Sequence, residues 1–491
     1  MSTQSLSRRT FLRRATVLGA GLTAALAGCQ PQVVEVEKIV TQEVEKIVKE
    51  TVVVEGTPQV VEKVVKETVV VEGEGLMAKA DESAIVSAAG SGSVVIEYWN
   101  GLTGEDGITM LKICQQFTEQ NPDVTIKTQR IPWGNYFDKL LPAIVAGAGP
   151  DFFILHRGEL HEWKPKGVLM NLDELFDSGE LPRDDFNQVI LEDCMHEGHI
   201  MGVPLDSYGP VLWLNLDLLE KAGITYEEEE EPMDRTKFLE TMTALTWDVN
   251  GKHPGESGFD PDNVDIWGYG GGNNVGTFAQ QNGVYSVSTD GSCKAQVTEE
   301  GFVDALTFER DLRWKYYVQS SGDFAADQAL AAGKLSVFYN GSWFYNWFKE
   351  YPDFRPGVWY FPTIGQNKGV WNDSHCHVLP LDLEADLLDW CKKLTVHIHS
   401  SHLWASEAGM PTPRASVAAH PQIAENWALP MQLRQQAWIN KPNRSYPCGT
   451  EISGVLNPEI AAALNNEKEP LQAMQDAAAR MQPILDRCCR A

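Results

Sequence analysis

The chain carries fifteen tryptophans, and five of them stand beside predicted loops: Trp99, Trp133, Trp267, Trp343 and Trp371. An indole face packs well against the C–H face of a pyranose, while the ring hydroxyls need Asp, Glu, Asn, Arg or His at the rim. Ordinary core packing is the alternative for each of these tryptophans. A second constellation is Ser374-His375-Cys376-His377, with His397, His399 and His402 following in sequence. On a strand, residues two apart share a face and the intervening thiol lies on the other, and the spacing matches no zinc pattern. No metal is therefore assigned, and the plainer role of His375 or His377 is donating a hydrogen bond to a ligand hydroxyl. His196 and His199 are three apart, not the four of a zinc peptidase helix. The run Gly270-Gly271-Gly272-Asn273-Asn274 opens no evident helix after a strand, so it reads as a loop and not as a phosphate cradle. There is no G-x-S-x-G elbow. Sixty-eight acidic residues always allow some carboxylate pair to be drawn for a glycoside-active enzyme, but no catalytic residue is singled out, and no cofactor.

The elements that must hold these residues begin at Val94 to Trp99, a short β-branched and aromatic run followed by the turn Asn100-Gly101-Leu102-Thr103-Gly104. From Asp106, Ile108, Leu111, Cys114 and Phe117 recur at helical spacing until Asn121-Pro122. Val124 to Ile126 is the next strand. A second helix carries Tyr136, Phe137, Leu140, Leu141, Ile144 and Val145, with Pro142 inside it as a predicted kink, and stops at Gly147 to Pro150. Asp151 to Leu155 is a third strand, with Asp151 bracing its start. Strands joined by single helices lie parallel, so an open α/β sheet with a crevice at the strand carboxyl ends is expected. Further on, Thr236 to Leu245 and Thr298 to Tyr316 read as helices, the latter turning Phe302, Leu306, Phe308 and Leu312 inward. Leu330 to Lys334, then Leu335 to Tyr339, repeats the helix-then-strand unit, so the second half is α/β as well.

The order E-Y-W-N-G, F-T-E-Q-N-P-D-V, P-W-G-N-Y-F-D-K-L and A-G-A-G-P-D resembles the extracellular solute-binding proteins (family 1) of bacterial sugar ABC transporters. The likeness resumes at Gly202 to Asp206, Asn340 to Trp343 and Gly409 to Arg414, so it spans nearly all of residues 94 to 487. It implies a two-lobed periplasmic-binding-protein-like fold with a ligand cleft between the lobes. It places residues 94–205 plus about 374–420 in lobe 1, and 206–373 plus about 421–491 in lobe 2, with helices from Pro458 to Leu485 closing the second. By resemblance Trp343, the tryptophan of N-G-x-W, is a stacking platform in the cleft. Asn100 and Gly101 lie in the loop after the first strand, His156 and Arg157 present a charged contact after the third, and Asp206 and Tyr208 stand at the first crossing between lobes. Trp133, Trp267 and His375 complete the ligand-binding set. In the family the wall at His375 to His377 is commonly small and glycine-rich, so this chain departs from the pattern there.

The implied function is the substrate-binding component of an importer. It captures a mono- or oligosaccharide, closes around it, and docks on the membrane permease without changing any bond in the ligand. A non-sugar polar solute, a metal, a glycoside-active enzyme and a cell-surface scaffold are the competing classes.

Ahead of this region, Ser7-Arg8-Arg9-Thr10-Phe11-Leu12 and Leu26-Ala27-Gly28-Cys29 read as a twin-arginine signal ending in a lipobox over residues 1–29, with Cys29 as the lipidated residue. The apolar run between them is shorter than the roughly 20 residues a bilayer span needs. The expected location is the extracytoplasmic face of the cell membrane, lipid-anchored. Residues 30–93 form a tether and linker in which Glu45 to Gly56 is almost repeated from Glu62 to Gly73. Two readings stay open for this repeat: a disordered spacer, or a self-associating coiled coil with Val33, Val40, Ile47, Val54 and Val61 seven apart. Ala78 to Ser93 is a small-residue linker in both. A net charge of −28 excludes nucleic acid as a partner, since phosphate contacts need basic surface. Of the nine cysteines, Cys29 is used by the lipid. The other eight could pair outside the cytoplasm. However, twin-arginine substrates cross already folded, so any bridge would have to form after folding, and adjacent Cys488 and Cys489 cannot readily bridge each other. Mostly free or buried thiols are expected.

Overall fold

The structure is a computed structural model that describes residues 41–54, 57–70, 85–227, 231–322, 324–440 and 448–489. The twin-arginine and lipobox segments lie outside these residues. The chain divides into two compact units, Met1–Ser83 and Ala84–Ala491.

In the first unit, Thr41–Val54 and Thr57–Val70 pair antiparallel in one register, from Val54 opposite Thr57 to Thr41 opposite Val70. The described backbone of the repeat is thus extended strand and not the helix of a coiled coil. The near-duplication supplies two valine-rich segments of equal length, and β-branched residues favour the extended chain over the helix.

The second unit is built on two sheets. The first has the order Ile85–Ala89, Val124–Arg130, Val94–Asn100, Phe152–His156, His375–Val378, Val203–Pro204. Its three predicted strands run parallel as helix crossovers require. Phe152 to Leu155 are buried on both faces, whereas Val94–Asn100 and Val124–Arg130 bury one face more than the other, with Ile96 and Ile126 fully buried and Lys127 exposed. The crossover helix Glu105–Gln120 buries Met110, Ile113, Cys114 and Phe117, whereas Ile108, counted among its inward positions by spacing, is half exposed. The next helix, Trp133–Val145, runs three residues past Pro142. Ile85–Ala89, expected to be linker, instead adds an antiparallel edge strand against Val124–Arg130.

The second sheet has the order Trp247–Asp248, Val264–Gly271, Leu335–Gly341, Pro210–Asn215, Pro356–Trp359. The pairing of Val264–Gly271 with Leu335–Gly341 is parallel. Helix Glu300–Trp314 presses Phe302, Leu306, Phe308 and Leu312 into the core. Helices Gly449–Leu464 and Pro470–Cys488 pack on each other and on that helix. The first of them starts nine residues before Pro458, which sits inside the helix. Its buried Ile452, Leu456 and Ile460 carry the helical spacing across the proline. Two stretches, 205–209 and 360–374, pass from one sheet to the other, and they pair where Tyr208 bridges Asp373. The fold is therefore α/β with two lobes.

The expectation of mostly free thiols is corrected by half. Cys293 bonds Cys489 and Cys448 bonds Cys488, so the two adjacent cysteines each take a different partner. Cys114, Cys194, Cys376 and Cys391 are buried and lie outside these two disulfides.

Candidate functional site

Aromatic rings converge where the two connecting stretches meet. From the first sheet, Trp133 opens its helix, and its ring centroid lies 4.2 Å from that of His156 and 5.5 Å from that of His375. From the connecting stretches come Tyr208, 4.8 Å from His375, and Trp371, 6.2 Å from Tyr208. From the second sheet comes Trp343, edge-on to Tyr208 at 5.6 Å and 39% exposed. Exposure of so large an apolar face beside half-buried rings suits stacking on a ligand better than core packing.

Both outer tryptophans are seated on glycine. A Cβ on Gly101 would meet the Trp133 ring at 2.1 Å, and one on Gly341 would meet the Trp343 ring at 2.0 Å. Each glycine follows an asparagine at the end of a strand, so the same Asn-Gly pair clears space for a tryptophan on both sheets. Asn100 is buried, and its Oδ1 accepts the amide of Leu102 to shape the first of these turns.

The polar frame is centred on Asp206, which is fully buried. Its Oδ1 accepts the His375 amide at 2.8 Å, and its Oδ2 takes the His375 Nδ1 at 2.7 Å and the Trp404 indole N–H at 2.9 Å. Burial pushes the His375 imidazole down, but the Asp206 carboxylate, through its charge and hydrogen bond and aided by Asp106 and Asp373, outweighs it and holds the pKa above the ordinary value. Asp206 therefore orients His375. Half-buried Glu159 and Asp373 supply rim carboxylates. Asp373 is fixed by the amides of Gly158 and Ser374 at 3.3 and 2.8 Å. Burial, then the charges of Asp373, Asp206 and Glu159, push the Tyr208 phenol up, so it stays protonated and can donate.

Two of the sequence-predicted residues are not brought to this cluster. Arg157, expected to present a charge, is fully buried and donates from Nη2 to the Asn372 carbonyl at 2.6 Å, with Asp193 3.6 Å from Nη1. Trp267 packs with Phe324 and Phe338 on the second sheet, four residues before the strand end at Gly271, about 13 Å along the strand. Trp371, Trp404, Glu159 and Asp373 are contributors absent from the predicted ligand set. Trp371 alone carried a signal, as a tryptophan beside a loop.

The histidine cluster considered for a metal is engaged internally. His377 Nε2 lies 2.8 Å from the Tyr98 hydroxyl, and its Nδ1 lies 3.0 Å from His399 Nε2. With both nitrogens hydrogen-bonded, His377 has none to offer an ion. A different trio, His156, Glu159 and Asp373, has ligand atoms within 4.8 Å of one another, although His156 Nδ1 already faces Glu159 at 3.5 Å. A separate cavity of about 810 Å³ is lined by Gly270 to Asn273, Arg313, Gln319 and Phe338. Among the described residues its lining contains a single charged side chain and no Trp or Tyr, so the aromatic cluster is the better candidate.

The two-lobed architecture recurs in solved structures. A substrate-binding protein from Listeria monocytogenes in complex with cycloalternan aligns at a TM-score of 0.66 and 19% identity, covering 80% of this chain and 99% of that one. The sugar-binding protein MalE from Xanthomonas citri aligns at 0.67 and 18%, covering 80% and 98%. In sequence, a Brucella abortus binding protein is 28% identical over 153 residues, which is 30% of this chain and 36% of that protein. The maltotriose-binding protein of Pyrococcus abyssi is 24% identical over 164 residues, 33% of this chain and 34% of its own length. The chain thus spans about a third of the length of these curated relatives. Residues 100–375, more than half of the chain, match the bacterial extracellular solute-binding proteins, and the chain belongs to that family.

Proposed function

We propose that the protein is the substrate-binding component of an ABC importer and captures a mono- or oligosaccharide between its two lobes. The observation that carries the reading is the convergence of Trp133, Tyr208, Trp343 and Trp371 around a rim of His156, Glu159, Asp373 and His375, where the chain passes between the sheets. Stacking faces with imidazole and carboxylate hydrogen-bonding partners match the two surfaces of a sugar ring. Cycloalternan and maltotriose appear in the names of a structural neighbour and a relative. Ligand held by both lobes favours the closed state only to the extent that it binds that state better. The closed form then docks on a permease, and Cys29 carries the lipid that keeps the protein at the extracytoplasmic face. The reading needs no catalytic residue.

Another relative, 26% identical over 156 residues, is the sn-glycerol-3-phosphate-binding protein of Salmonella typhimurium. A phosphate monoester would meet Glu159 and Asp373 in this cleft, while Arg157 is buried against Asn372 and Asp193, so a neutral ligand is preferred. The test is a thermal-shift and calorimetric screen against neutral sugars, oligosaccharides, polyols and sn-glycerol 3-phosphate. A saccharide hit lost in Trp343→Ala supports the reading. Binding of the phosphate alone, or a saccharide bound equally well by Trp343→Ala, overturns it.

A further inference from the structure

We propose that Cys194 and Cys376 form a third disulfide in the exported protein. The two Sγ atoms lie 3.5 Å apart, and both side chains are fully buried. A bond of about 2 Å requires a closing movement of about 1.5 Å. Cys194 ends the helix Gln188–Asp193, and its Sγ points to the Ile190 carbonyl at 3.4 Å. Cys376 lies in the strand His375–Val378, paired with Leu155 on one side and Pro204 on the other. Both thiols belong to the apolar cluster of Leu155, Leu160, Trp163 and Val378, with the carbonyls of Ile190 and Ser374 in reach of the sulfurs and the buried Lys164 ammonium near enough to interact with both.

Two disulfides elsewhere in the chain, Cys293–Cys489 and Cys448–Cys488, are the mark of a protein that matures in an oxidising compartment. The inference rests on the extracytoplasmic location proposed above, but not on the ligand. A third pair of thiols in contact there meets the same oxidant, a disulfide-carrying oxidoreductase. One cysteine thiolate attacks a donor sulfur, forming a mixed disulfide and releasing a donor thiolate. The other cysteine then attacks its neighbour's sulfur and releases the second donor thiol. Two electrons and two protons pass to the donor, which leaves as a dithiol. In the closed fold, burial, followed by the hydrogen bond and charge of Cys194, pushes the Cys376 thiol well up. The exchange therefore proceeds while the segment carrying Cys194 is open, and refolding then seals the bond from reductant.

The bond spans 182 residues of sequence, the kind of long closure that most restricts the unfolded chain. It would also fasten the strand whose neighbouring residue, His375, enters the ligand cluster. Cys114 and Cys391 lie outside both disulfides and serve as internal controls.

The experiment is peptide mapping of the full chain recovered from its extracytoplasmic location, with thiols alkylated under denaturing conditions before any reductant is added. The expected result is a linked pair of peptides containing Cys194 and Cys376, with Cys114 and Cys391 alkylated. In Cys194→Ser, Cys376 should then become fully alkylated and the melting temperature should fall by several degrees. Alkylated Cys194 and Cys376 alongside intact Cys293–Cys489 and Cys448–Cys488 bonds would overturn the proposal and leave the location reading standing. Thiols at all eight positions would overturn both. Neither outcome bears on the choice of ligand.

Discussion

A Cβ placed on Gly341 would lie 2.0 Å from Cζ3 of the Trp343 ring two residues later. The backbone at Gly341 is extended, with φ −77° and ψ 172°, a conformation any residue adopts. The glycine is therefore there for the ring and not for the chain. Because Trp343 is exposed, an added methyl displaces it into solvent at little cost to the fold.

The first prediction is that Gly341→Ala weakens ligand binding by about tenfold, the worth of one well-placed stacking face, while the melting temperature stays nearly unchanged. Calorimetric titration beside a thermal melt checks it. Gly101→Ala should behave differently, because Trp133 is packed against Tyr136, Phe137 and His156 and cannot swing free. That variant should lose stability as well as affinity. Unchanged affinity in Gly341→Ala would remove Trp343 from the site.

The second concerns the pair that orients His375. Asp206 and His375 are both buried and hydrogen-bonded at 2.7 Å, so Asp206→Asn leaves a buried imidazole without its counter-charge. The expected cost is about 3 kcal/mol in a denaturant titration. The His375 pKa should fall below the ordinary histidine value, since burial would be left with only the more distant Asp106 and Asp373 charges opposing it. Imidazole proton resonances followed against pH read this directly, and a His375 pKa that does not move would show that the carboxylate is not its controlling partner.

The parallel βαβ core was legible because it is written in local signals: β-branched runs, helical apolar spacing and Gly/Pro stops from Val94 to Leu155. Those signals carried the element order and the buried faces of Phe302, Leu306, Phe308 and Leu312. Where one local rule competed with a longer-range one, the reading failed. The stretch Ala78 to Ser93 looks like linker, yet the exposed edge of Val124–Arg130 recruits Ile85–Ala89 as a strand. Pro458 looks like a helix start, yet packing of Ile452 and Ile460 carries a helix through it. At the site, Trp133, Tyr208, His156 and His375 come together, whereas Arg157 does not. A cation following a strand end has the same sequence whether it turns to the ligand or inward to the Asn372 carbonyl. Asp373 and Glu159 gave no sign, because a rim carboxylate is chosen by the approach of two distant loops.

The third prediction is loss of stability below neutral pH through the buried histidines under the first sheet. Burial, then the neighbouring His399 and His375, hold His377 well below its ordinary pKa. Burial, then the Arg414 charge, hold His399 down to about 3. His161 is held to about 3 by burial and by Lys164 and Arg157. Each is neutral in the folded chain but takes a proton near pH 6.5 when unfolded. Their contribution is therefore complete above pH 6.5 and is lost as pH falls towards 3, by about 1.4 kcal/mol per pH unit for each histidine. His375 has the opposite sign. Its raised pKa gives stability that is complete below pH 6.5 and fades as pH rises through the folded value, so it does not offset the acid loss. Urea midpoints at pH 7.5, 6 and 5 should fall steeply, and His399→Gln should flatten the slope by one histidine's share. An unchanged slope in that variant would mean that His399 already carries its proton in the fold.

The last prediction tests where the ligand-binding unit begins. If Ile85–Ala89 were linker, a chain starting at Val94 would be as stable as one starting at Ala84. The structure instead pairs Ile85 to Ala89 with Arg130 to Ile126 in antiparallel register. Gly90 turns the chain with φ +80°, at a point where a Cβ would meet the Val124 carbonyl at 2.5 Å. Removing that strand strips the backbone partners from the edge of Val124–Arg130 and uncovers Ile126, which is fully buried in the intact chain. Ile85 and Val86 are themselves exposed, so the loss should be moderate: a melting temperature lower by a few degrees and faster amide exchange confined to Val124–Arg130. Ligand affinity should survive the truncation, because none of the converging aromatic residues lies before Trp99. Equal melting temperatures for the two chains would return residues 85–93 to the tether.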